Sequence, residues 1–298
     1  MKKVIVTGGA GFIGSNLAKA LIKKGYEVHI IDNFSGGKKE NVPDGATLHE
    51  LDITQLSDIE SIFSDAEYVF HFAALPRVQY SIEYPLETSE ANVMGTLNVL
   101  EASRKAGIKK VVYSASSSAY GDQDTMPLVE TMTPGPKSPY GLQKYIGEEY
   151  CKVWSEVYGL PTVSLRYFNV YGPGQSEEGA YALVIAKFLK LKREGKPLTI
   201  TGDGLQTRDF THVRDVVNAN ILAATSDKVG KGEVINIGAG NNVSIKEIAE
   251  MISDNIEYIP ARLEPHDTLA DNSKAKELLD WEARVSIEEG LGELLVEK

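Results

Sequence analysis

Cysteine is almost absent from this sequence, since Cys151 is the only one among 298 residues. A single cysteine cannot form an intrachain disulfide, which suits a reducing compartment. Long apolar runs are absent too, and none approaches the roughly 20 residues of a membrane-spanning helix. The apolar run near the start, residues 4–6, is too short for the core of a signal peptide. We therefore expect a cytoplasmic protein that has no membrane as a partner.

Basic residues are outnumbered, because 31 Lys and Arg residues stand against 42 Asp and Glu residues and give a net charge of −11. Such a chain repels a phosphate backbone, so we expect no nucleic acid as a partner. Hydrophobic residues make up 42% of the sequence. This apolar content is enough to offset chain entropy, which excludes disorder over most of the chain. At roughly 150 residues per domain, the length predicts two domains or one large one.

Short apolar strands alternate with helices over the larger, N-terminal part of the chain. The predicted strands are Lys3–Val6, Val28–Ile31, Tyr68–Phe72, Lys110–Ser114 and Thr162–Tyr167, and the predicted helices are Phe12–Lys23, Val93–Lys105 and Pro139–Tyr158. The less regular remainder predicts helices at Ala180–Glu194 and Val213–Ala224 and strands at Lys196–Thr201 and Glu233–Ile237. This alternation predicts an α/β fold, a Rossmann-type doubly wound parallel sheet with a smaller α/β C-terminal lobe.

A glycine-rich turn joins the first predicted strand to the first predicted helix, with the sequence TGGAGFIG at residues 7–14. Glycines permit a tight turn and close approach of a pyrophosphate, and the helix N-terminus offers it N–H groups. Asp32 ends the next strand, where a carboxylate accepts hydrogen bonds from the adenosine ribose and repels a 2′-phosphate. The turn therefore predicts binding of NAD rather than NADP, the alternative being a structural glycine turn. The candidate cofactor-binding residues of this part are Gly8, Gly11, Phe12, Ile13, Gly14 and Asp32.

Tyr140 and Lys144 are four residues apart on a predicted helix and therefore share one face. A tyrosine is a poor base at neutral pH, and a nearby ammonium stabilises its phenolate. The serine run from Ser114 to Ser118 begins at the C-terminal end of a predicted strand, the edge at which α/β sheets bind ligands. Together these residues predict acid–base chemistry on a bound hydroxyl; alone, the Tyr–Lys pair would indicate only a surface contact.

These motifs resemble those of the extended short-chain dehydrogenase/reductases, specifically the nucleotide-sugar 4-epimerases of the UDP-glucose 4-epimerase type. The resemblance covers nearly the whole chain. It extends to the segments Asp32–Gly37, Asp52–Ile53, His71–Ala74, Asn92–Thr96, Ser114–Gly121, Ser138–Lys144, Arg166–Pro173 and Gln206–Phe210. No set of metal ligands is among them, and we expect none.

The resemblance implies a role for each matching residue. Tyr140 would be the catalytic acid/base, Lys144 its partner and a ligand of the nicotinamide ribose, and Ser116 the catalytic serine, with Ser117 as the alternative. Further cofactor contacts would be Asn33, Asp52, Ile53, Ala73, Ala74, Asn92, Ser114 and Tyr167. Substrate contacts would be Ser116, Ser117, Tyr140, Asn169, Arg208 and Arg262.

Several of these residues also have a simpler structural interpretation. Asp52 could cap a helix, Asn92 could bridge backbone groups, and His71 is expected to be a packed residue at a strand end. Arg208 and Arg262 would bind the diphosphate of the substrate, although either could form a surface ion pair. The stretch after Arg262 is shorter than is usual in the family.

The resemblance implies inversion at C4 of a UDP-hexose through a transient 4-keto sugar, with UDP-glucose and UDP-galactose or their N-acetylated counterparts as substrates. Nucleotide-sugar 4,6-dehydratases and UDP-glucuronate decarboxylases begin with the same oxidation, but they carry carboxylates just after the catalytic serine or threonine. Residues 117–121 contain none, which favours epimerisation. A non-enzymatic NAD sensor is a third interpretation, disfavoured because Tyr140 and Lys144 are both present. Residues 179–185 resemble the corresponding segment of epimerases that accept N-acetylated sugars.

The predicted division assigns residues 1–172 plus 208–239 to an NAD-binding Rossmann domain. Residues 173–207 plus 240–298 would form the lobe that binds the nucleotide sugar. The family is commonly homodimeric through paired helices, and the candidates here are the predicted helices Val93–Lys105 and Pro139–Tyr158.

Overall fold

A computed structural model describes residues 1–176, 183–260 and 267–296 of the chain. The strands are β1 (Lys3–Thr7), β2 (Glu27–Ile31), β3 (Thr47–His49), β4 (Ala66–His71), β5 (Lys110–Ser116), β6 (Thr162–Tyr167), β7 (Leu198–Thr201), β8 (Thr207–Asp209), β9 (Glu233–Ile237), β10 (Asn242–Ser244) and β11 (Ile256–Ile259). The α-helices are α1 (Phe12–Lys23), α2 (Leu56–Ile59), α3 (Val78–Glu83), α4 (Pro85–Ser89), α5 (Gly95–Ala106), α6 (Pro139–Tyr158), α7 (Val184–Arg193), α8 (Val213–Thr225), α9 (Ile245–Ile252), α10 (Ser273–Leu279) and α11 (Ile287–Val296).

Seven parallel strands form the main sheet in the order β3-β2-β1-β4-β5-β6-β9. The chain reverses its direction of travel across the sheet between β1 and β4, which is where open α/β sheets bind ligands. Thr7 at the end of β1 pairs with His71 at the end of β4, so the loops that follow these strands begin side by side. The predicted Rossmann-type doubly wound sheet is confirmed.

Helices cover both faces of this sheet because its strands are apolar on both sides. One buried cluster joins the sheet to α1 and α8 through residues such as Leu17 and Val216. A second cluster lies on the other face and includes Val99, Leu100 and Cys151 of α5 and α6. Burial of this apolar surface is the main term that holds the layers together.

The predicted smaller C-terminal lobe is also present. Its core contains Ile185 and Phe188 of α7, Ile200 of β7 and Ile248 of α9. Strand β7 pairs in parallel with β11, and β8 pairs antiparallel with β10. Strand β9 belongs to the main sheet, and helix α8 packs against that sheet. The tail, however, packs back on the main sheet through Trp281, whose Nε1 donates to the carbonyl of Asp215 at 2.9 Å.

Some predicted boundaries were wrong. The helix predicted from Val93 begins earlier, as a π-helical turn at Glu90–Met94 that continues into α5. The strand predicted from Lys196 begins at Leu198, and the helix predicted from Ala180 is described from Val184, with residues 177–182 outside the described part. The short elements β3, α2, α3 and α4 were not predicted, because so few residues carry no clear periodicity. Among the described helices, none is long and apolar enough to cross a membrane.

Candidate active site

A cavity of about 890 Å³ opens at the carboxyl ends of β1, β2, β4, β5 and β6. Most of the site residues predicted from sequence line it: Gly8, Gly11, Phe12, Ile13, Gly14, Asp32, Asn33, Asp52, Ile53, Ala73, Ala74, Ser114, Ser116, Ser117, Tyr140, Lys144, Tyr167 and Asn169. Asn92 and Arg208 are not among the lining residues, and Arg262 lies outside the described residues. The cavity thus joins the glycine turn to the Tyr–Lys pair.

The glycine turn can be built only from glycine at two positions. Gly8 has a φ of +69°, and a Cβ there would lie 2.6 Å from the backbone nitrogen of Ala73. A Cβ on Gly14 would lie 2.2 Å from the carbonyl oxygen of Gly8. Helix α1 therefore begins directly against the turn, and the N–H groups of its first turn lack intrahelical partners. They offer partial positive charge to a pyrophosphate at this end of the cavity.

Asp32 follows β2 at the rim of this turn and is almost fully buried. Its Oδ2 accepts a hydrogen bond from the amide of Ala10 at 2.9 Å, and its Oδ1 accepts one from the amide of Phe34 at 2.8 Å. These bonds hold the carboxylate in place, and each oxygen keeps a second lone pair for a ribose hydroxyl. Asp52 is linked to the same rim, since its Oδ2 accepts from Asn33 at 2.9 Å.

Replacing Asp32 by Ala is expected to weaken NAD binding about 10- to 100-fold, because hydrogen bonds to a charged group contribute about 1.5–3 kcal/mol. Isothermal titration of NAD into wild-type and variant protein measures this change. Asp32→Asn is the matched control, since it keeps the size and one acceptor oxygen but loses the charge and replaces the second acceptor by an NH2 donor, and we expect it to bind NAD with intermediate affinity. Equal NAD affinity of Asp32→Ala and wild type would remove Asp32 from the site.

A buried polar chain supports the backbone that lines the cavity after β4. The Thr7 hydroxyl lies 2.7 Å from Nδ1 of His71, and Nε2 of His71 lies 2.9 Å from the Thr96 hydroxyl. Thr96 donates in turn to the carbonyl of Asn92, and the amide of Ala73 donates to Thr7. Burial lowers the pKa of His71 to about 3, so the ring stays neutral. His71 is the packed residue expected from sequence, and the chain positions Ala73.

Helix α6 brings Tyr140 and Lys144 to the cavity. The Ser138 hydroxyl accepts from the amide of Gly141, and Pro139 occupies the first turn, two features that favour a helix start there. The Nζ of Lys144 donates to the carbonyl of Ser114 at 2.7 Å and lies 5.0 Å from the ring centroid of Tyr113. Burial lowers the pKa of Lys144 to about 8, against the opposing charge of Glu148.

Tyr140 is protonated in this setting. Burial raises the pKa of its phenol, whereas hydrogen bonding with Ser116 and the positive charge of Arg77 lower it. Ser116 is in turn oriented by Ser118, whose hydroxyl donates to the Ser116 hydroxyl at 2.8 Å. Of the two serines left open by the sequence, the structure brings Ser116 to Tyr140.

A buried ion pair lies one turn further along α6. Both nitrogens Nε and Nη2 of Arg166 donate to the carboxylate of Glu148, at 2.9 and 2.6 Å. The guanidinium carbon of Arg166 stands 4.4 Å from the ring centroid of Tyr120. The pair ties α6 to β6 directly behind Lys144. Sequence reasoning missed it, although Glu148 follows Lys144 by the four residues that place two side chains on one helix face.

Of the remaining predicted site residues, some line the cavity and others do not. Tyr167 lines the cavity and donates its hydroxyl to Asn220 at 2.9 Å. Asn169 lines it too, with a φ of +23°. The side-chain amide of Asn92 bridges both backbone groups of Leu75 and also bonds Gln143 at 2.8 Å, which is the bridging interpretation considered above. Arg208 donates to the carbonyl of Thr207 at 2.8 Å.

The residues of the cavity fit NAD. The glycine turn is closed so tightly that a Cβ at Gly8 or Gly14 would meet backbone atoms, and α1 begins directly after this turn, on the cavity wall. Asp32 would hold the adenosine ribose, and Lys144 with Tyr140 would lie at the nicotinamide end.

Comparison with known proteins agrees with this geometry. The model of the NAD dependent epimerase/dehydratase family matches residues 4–238. A putative UDP-glucose 4-epimerase of Methanocaldococcus jannaschii is 39% identical over 297 residues, covering 97% of this chain and 95% of that protein. A UDP-N-acetyl-alpha-D-glucosaminuronate decarboxylase of Bacillus cytotoxicus is 37% identical and covers 99% of this chain and 97% of its own.

Solved structures are similar over the same length. The UDP-glucose 4-epimerase of Thermotoga maritima, with UDP-glucose, has a TM-score of 0.94 and 40% identity, and covers 98% of this chain and 97% of its own. The UDP-N-acetylglucosamine 4-epimerase of Methanobrevibacter ruminantium, in complex with UDP-N-acetylmuramic acid, has a TM-score of 0.94 and 40% identity and covers 99% and 97%. The UDP-glucuronic acid 4-epimerase of Bacillus cereus, with UDP-glucuronic acid and NAD, has a TM-score of 0.90 and 36% identity and covers 98% of each chain. This chain therefore belongs to the NAD-dependent epimerase/dehydratase family, as an NAD-dependent enzyme of the UDP-glucose 4-epimerase type.

Proposed function

We propose that the protein inverts C4 of a UDP-hexose, either the UDP-glucose/UDP-galactose pair or its N-acetylated counterpart, through a transient 4-keto sugar. The observation that carries this proposal is the meeting of Ser116, Tyr140 and Lys144 at one end of the NAD cavity. That constellation can bind a sugar hydroxyl and remove its proton. The same groups can return the proton once the ring has turned over.

Each residue has one task in this reaction. Ser116, oriented by Ser118, and Tyr140 both bond the 4-hydroxyl. Tyr140 must first release its own proton, and its phenolate then takes the proton of the 4-hydroxyl as C4 is oxidised. When bound, NAD supplies the hydride acceptor and later the hydride donor. Lys144, anchored on the Ser114 carbonyl, favours the phenolate by its charge. The sugar must be held loosely enough to rotate, so we expect the nucleotide to supply most of the binding energy.

The two competing reactions need a further acid or base beside the serine. Ser117, Ser118 and Ala119 form a short 3₁₀ turn directly after Ser116, and none of them carries a carboxylate. This favours epimerisation over dehydration and decarboxylation, although the relative from Bacillus cytotoxicus is a decarboxylase. A protein that only senses NAD would have no need of Tyr140 and Lys144 at the cavity, so the geometry also disfavours that role.

Product analysis tests the proposal. The purified protein is incubated with UDP-glucose and with UDP-N-acetylglucosamine in parallel, and the products are separated by chromatography and identified by NMR and mass. We expect the C4 epimer of at least one substrate, unchanged in mass and without net reduction of NAD. A product lighter by one water, or NAD binding without turnover of any nucleotide sugar, would contradict epimerisation.

The nucleotide would lie toward the C-terminal lobe. We propose that residues 1–172 with 208–239 hold NAD, that residues 173–207 with 240–298 cover the UDP-sugar, and that Asn169, Arg208 and Arg262 contact its diphosphate. Asn169 supports this, since it lines the cavity and its amide nitrogen lies 3.3 Å from the Thr268 hydroxyl.

We also propose that the protein works in the cytoplasm. Its one thiol, Cys151, is buried, and burial raises the pKa of this thiol to about 12, so it would remain unreactive there.

A homodimer is the proposed assembly. Large exposed hydrophobic side chains concentrate on α3, α4, the π-turn and α6. Leu142, Val153 and Val157 lie along one stripe of α6, and Met94 lies on the preceding helical segment. A patch of this kind marks a protein interface in a soluble protein. Residues on this stripe, which we call the outer face of α6, point away from the stripe that carries Tyr140 and Lys144.

Replacing Val153 by Arg is expected to convert the dimer to a monomer, because a charge would be buried at the centre of the outer face of α6. Sedimentation velocity measures the change at several concentrations. Met251→Arg is the matched control, since Met251 is an exposed apolar residue on α9 and lies outside this face. A Val153→Arg protein that sediments as the wild type does would place the interface elsewhere.

A further inference from the structure

Arg77 is a cationic side chain in the cavity to which neither the sequence nor the proposed mechanism assigns a task. It lies between β4 and α3, three residues after Ala74, and lines the same cavity as Tyr140 and Lys144. The side chain is half-buried, and burial lowers the pKa of the guanidinium. An anionic partner would compensate for the part of its hydration that the guanidinium loses in this way.

No such partner is present among the described residues. The guanidinium of Arg77 has no hydrogen bond or ion pair within the ranges 1–176, 183–260 and 267–296, and neither Glu87 nor Glu90, which line the same cavity, is paired with it. Its one electrostatic neighbour is the phenol of Tyr140, which is neutral in the free protein because burial raises its pKa. This situation is unusual in a chain of net charge −11, where carboxylates are plentiful. The anion that Arg77 would pair with is therefore expected to arrive with a ligand.

The backbone holds Arg77 close to the reacting end of the cavity. The carbonyl of Arg77 accepts from the amide of Ser81 at 2.9 Å. The Ser81 hydroxyl in turn accepts from the amide of Tyr140 at 3.0 Å. The start of α3 is thereby fastened to the first turn of α6. This link fixes the backbone of Arg77 close to the first turn of α6.

The position beside Tyr140 selects among the anions that a UDP-sugar and NAD could supply. Tyr140 must meet the oxygen on C4, whereas the diphosphate is attached at C1, on the opposite side of the pyranose ring. The pyrophosphate of NAD belongs at the glycine turn, beside the N-terminus of α1, and not at the end of the cavity that carries Tyr140. An anion near C4 must therefore be carried by the sugar itself, on C5 or on the oxygen at C3. The anionic group that natural sugars carry on C5, or on the oxygen at C3, is a carboxylate.

We propose that Arg77 binds a carboxylate on the sugar next to C4, so that acidic UDP-hexoses are substrates of this cavity and are preferred over their neutral counterparts. The inference rests on the C4 inversion proposed above. A guanidinium can take a carboxylate through two parallel hydrogen bonds, and Arg77 has all its donors available for this. Arg77 is a specificity-determining residue in this view, and Tyr140 remains the group that moves the proton.

The experiment compares two matched pairs of ligands on the NAD-loaded protein. UDP-glucose with UDP-glucuronate tests a carboxylate on C5, and UDP-N-acetylglucosamine with UDP-N-acetylmuramic acid tests one on the oxygen at C3. Dissociation constants are measured by titration calorimetry and kcat/KM by product analysis. Wild-type protein, Arg77→Ala, Arg77→Lys and the control Gln79→Ala are used, since Gln79 is exposed on α3, directly after Arg77, and does not line the cavity.

We expect wild-type protein to bind the acidic member of one pair about 10- to 100-fold more tightly than the neutral member, the range of a charge-assisted, two-point contact. Arg77→Ala should abolish that ratio, Arg77→Lys should keep part of it because it keeps only the charge, and Gln79→Ala should leave it unchanged. The pair in which the preference occurs identifies the position of the carboxylate.

Two results would overturn the proposal. One is a wild-type protein that prefers the neutral member of both pairs. The other is an Arg77→Ala protein whose dissociation constants for acidic and neutral ligands rise by the same factor. That result would assign Arg77 to the diphosphate. If the pH profile of kcat also moves to higher pH, it would assign Arg77 to the phenolate of Tyr140. The binding constants decide this even if no ligand is epimerised, which would instead contradict the proposed function.

Discussion

Replacing Tyr140 by Phe is expected to lower kcat at least about a hundredfold, the range in which a positioned general acid or base contributes. The variant keeps the ring and the packing of α6 and loses only the oxygen that takes the proton from the sugar hydroxyl. Steady-state turnover of the nucleotide sugar identified by product analysis measures the loss. Tyr145→Phe is the matched control on the same helix, since Tyr145 does not line the cavity.

Binding separates a chemical defect from a structural one. Tyr140→Phe should retain NAD and the UDP-sugar with affinities within a few fold of the wild type, because the glycine turn and Asp32 are untouched. Loss of kcat with retained binding is the signature of an interaction made mainly in the transition state. Wild-type turnover by Tyr140→Phe would reject Tyr140 as the acid/base and, with it, the proposed mechanism.

Replacing Arg166 by Met is expected to lower the free energy of unfolding by about 3–5 kcal/mol, because the carboxylate of Glu148 is then buried without its partner. Glu148 and Arg166 are both almost fully buried and share two hydrogen bonds. Denaturant titration and the thermal midpoint measure the change. The double variant Glu148→Gln with Arg166→Met should recover part of the loss, since it leaves no unpaired charge.

An exposed pair gives the contrast. Arg104 and Glu101 on α5 also share two hydrogen bonds, at 2.8 and 2.6 Å, but both are partly open to solvent. Arg104→Met should cost at most about 1 kcal/mol. If Arg166→Met is no more destabilising than Arg104→Met, then the buried pair behind Lys144 contributes little and its geometry would need another explanation.

The fold was predictable from sequence where local signals were strong. Helix α6 was predicted with its observed bounds because Ser138 and Pro139 begin it and Gly159, with a φ of +68°, ends it. The glycine turn was predictable because its spacing and its position between a strand and a helix are dictated by close backbone contacts. Helices α3 and α4 are short and only Tyr84 separates them, with Pro85 as the first residue of α4. They lack a start and stop signal as clear as that of α6.

The site was predictable only where chemistry coincides with a motif. Tyr140, Lys144 and Asp32 could be named because their residue types and spacing are required by the reaction and the cofactor. Arg77 could not, since the sequence does not show that its guanidinium lines the cavity without a hydrogen bond or ion pair to any described residue. The choice between Ser116 and Ser117 likewise required the three-dimensional turn that follows β5.

Helix α6 has little freedom to change during evolution or engineering. Its inner stripe carries Tyr140, Lys144 and Glu148, and its outer face carries Leu142, Val153 and Val157. A single inserted or deleted residue would rotate everything beyond it by about 100°, moving the outer apolar residues inward and the inner polar ones outward. New substrate ranges would therefore arise by exchange of the loops around the cavity, in particular the one that carries Arg77, while the length of α6 stays constant.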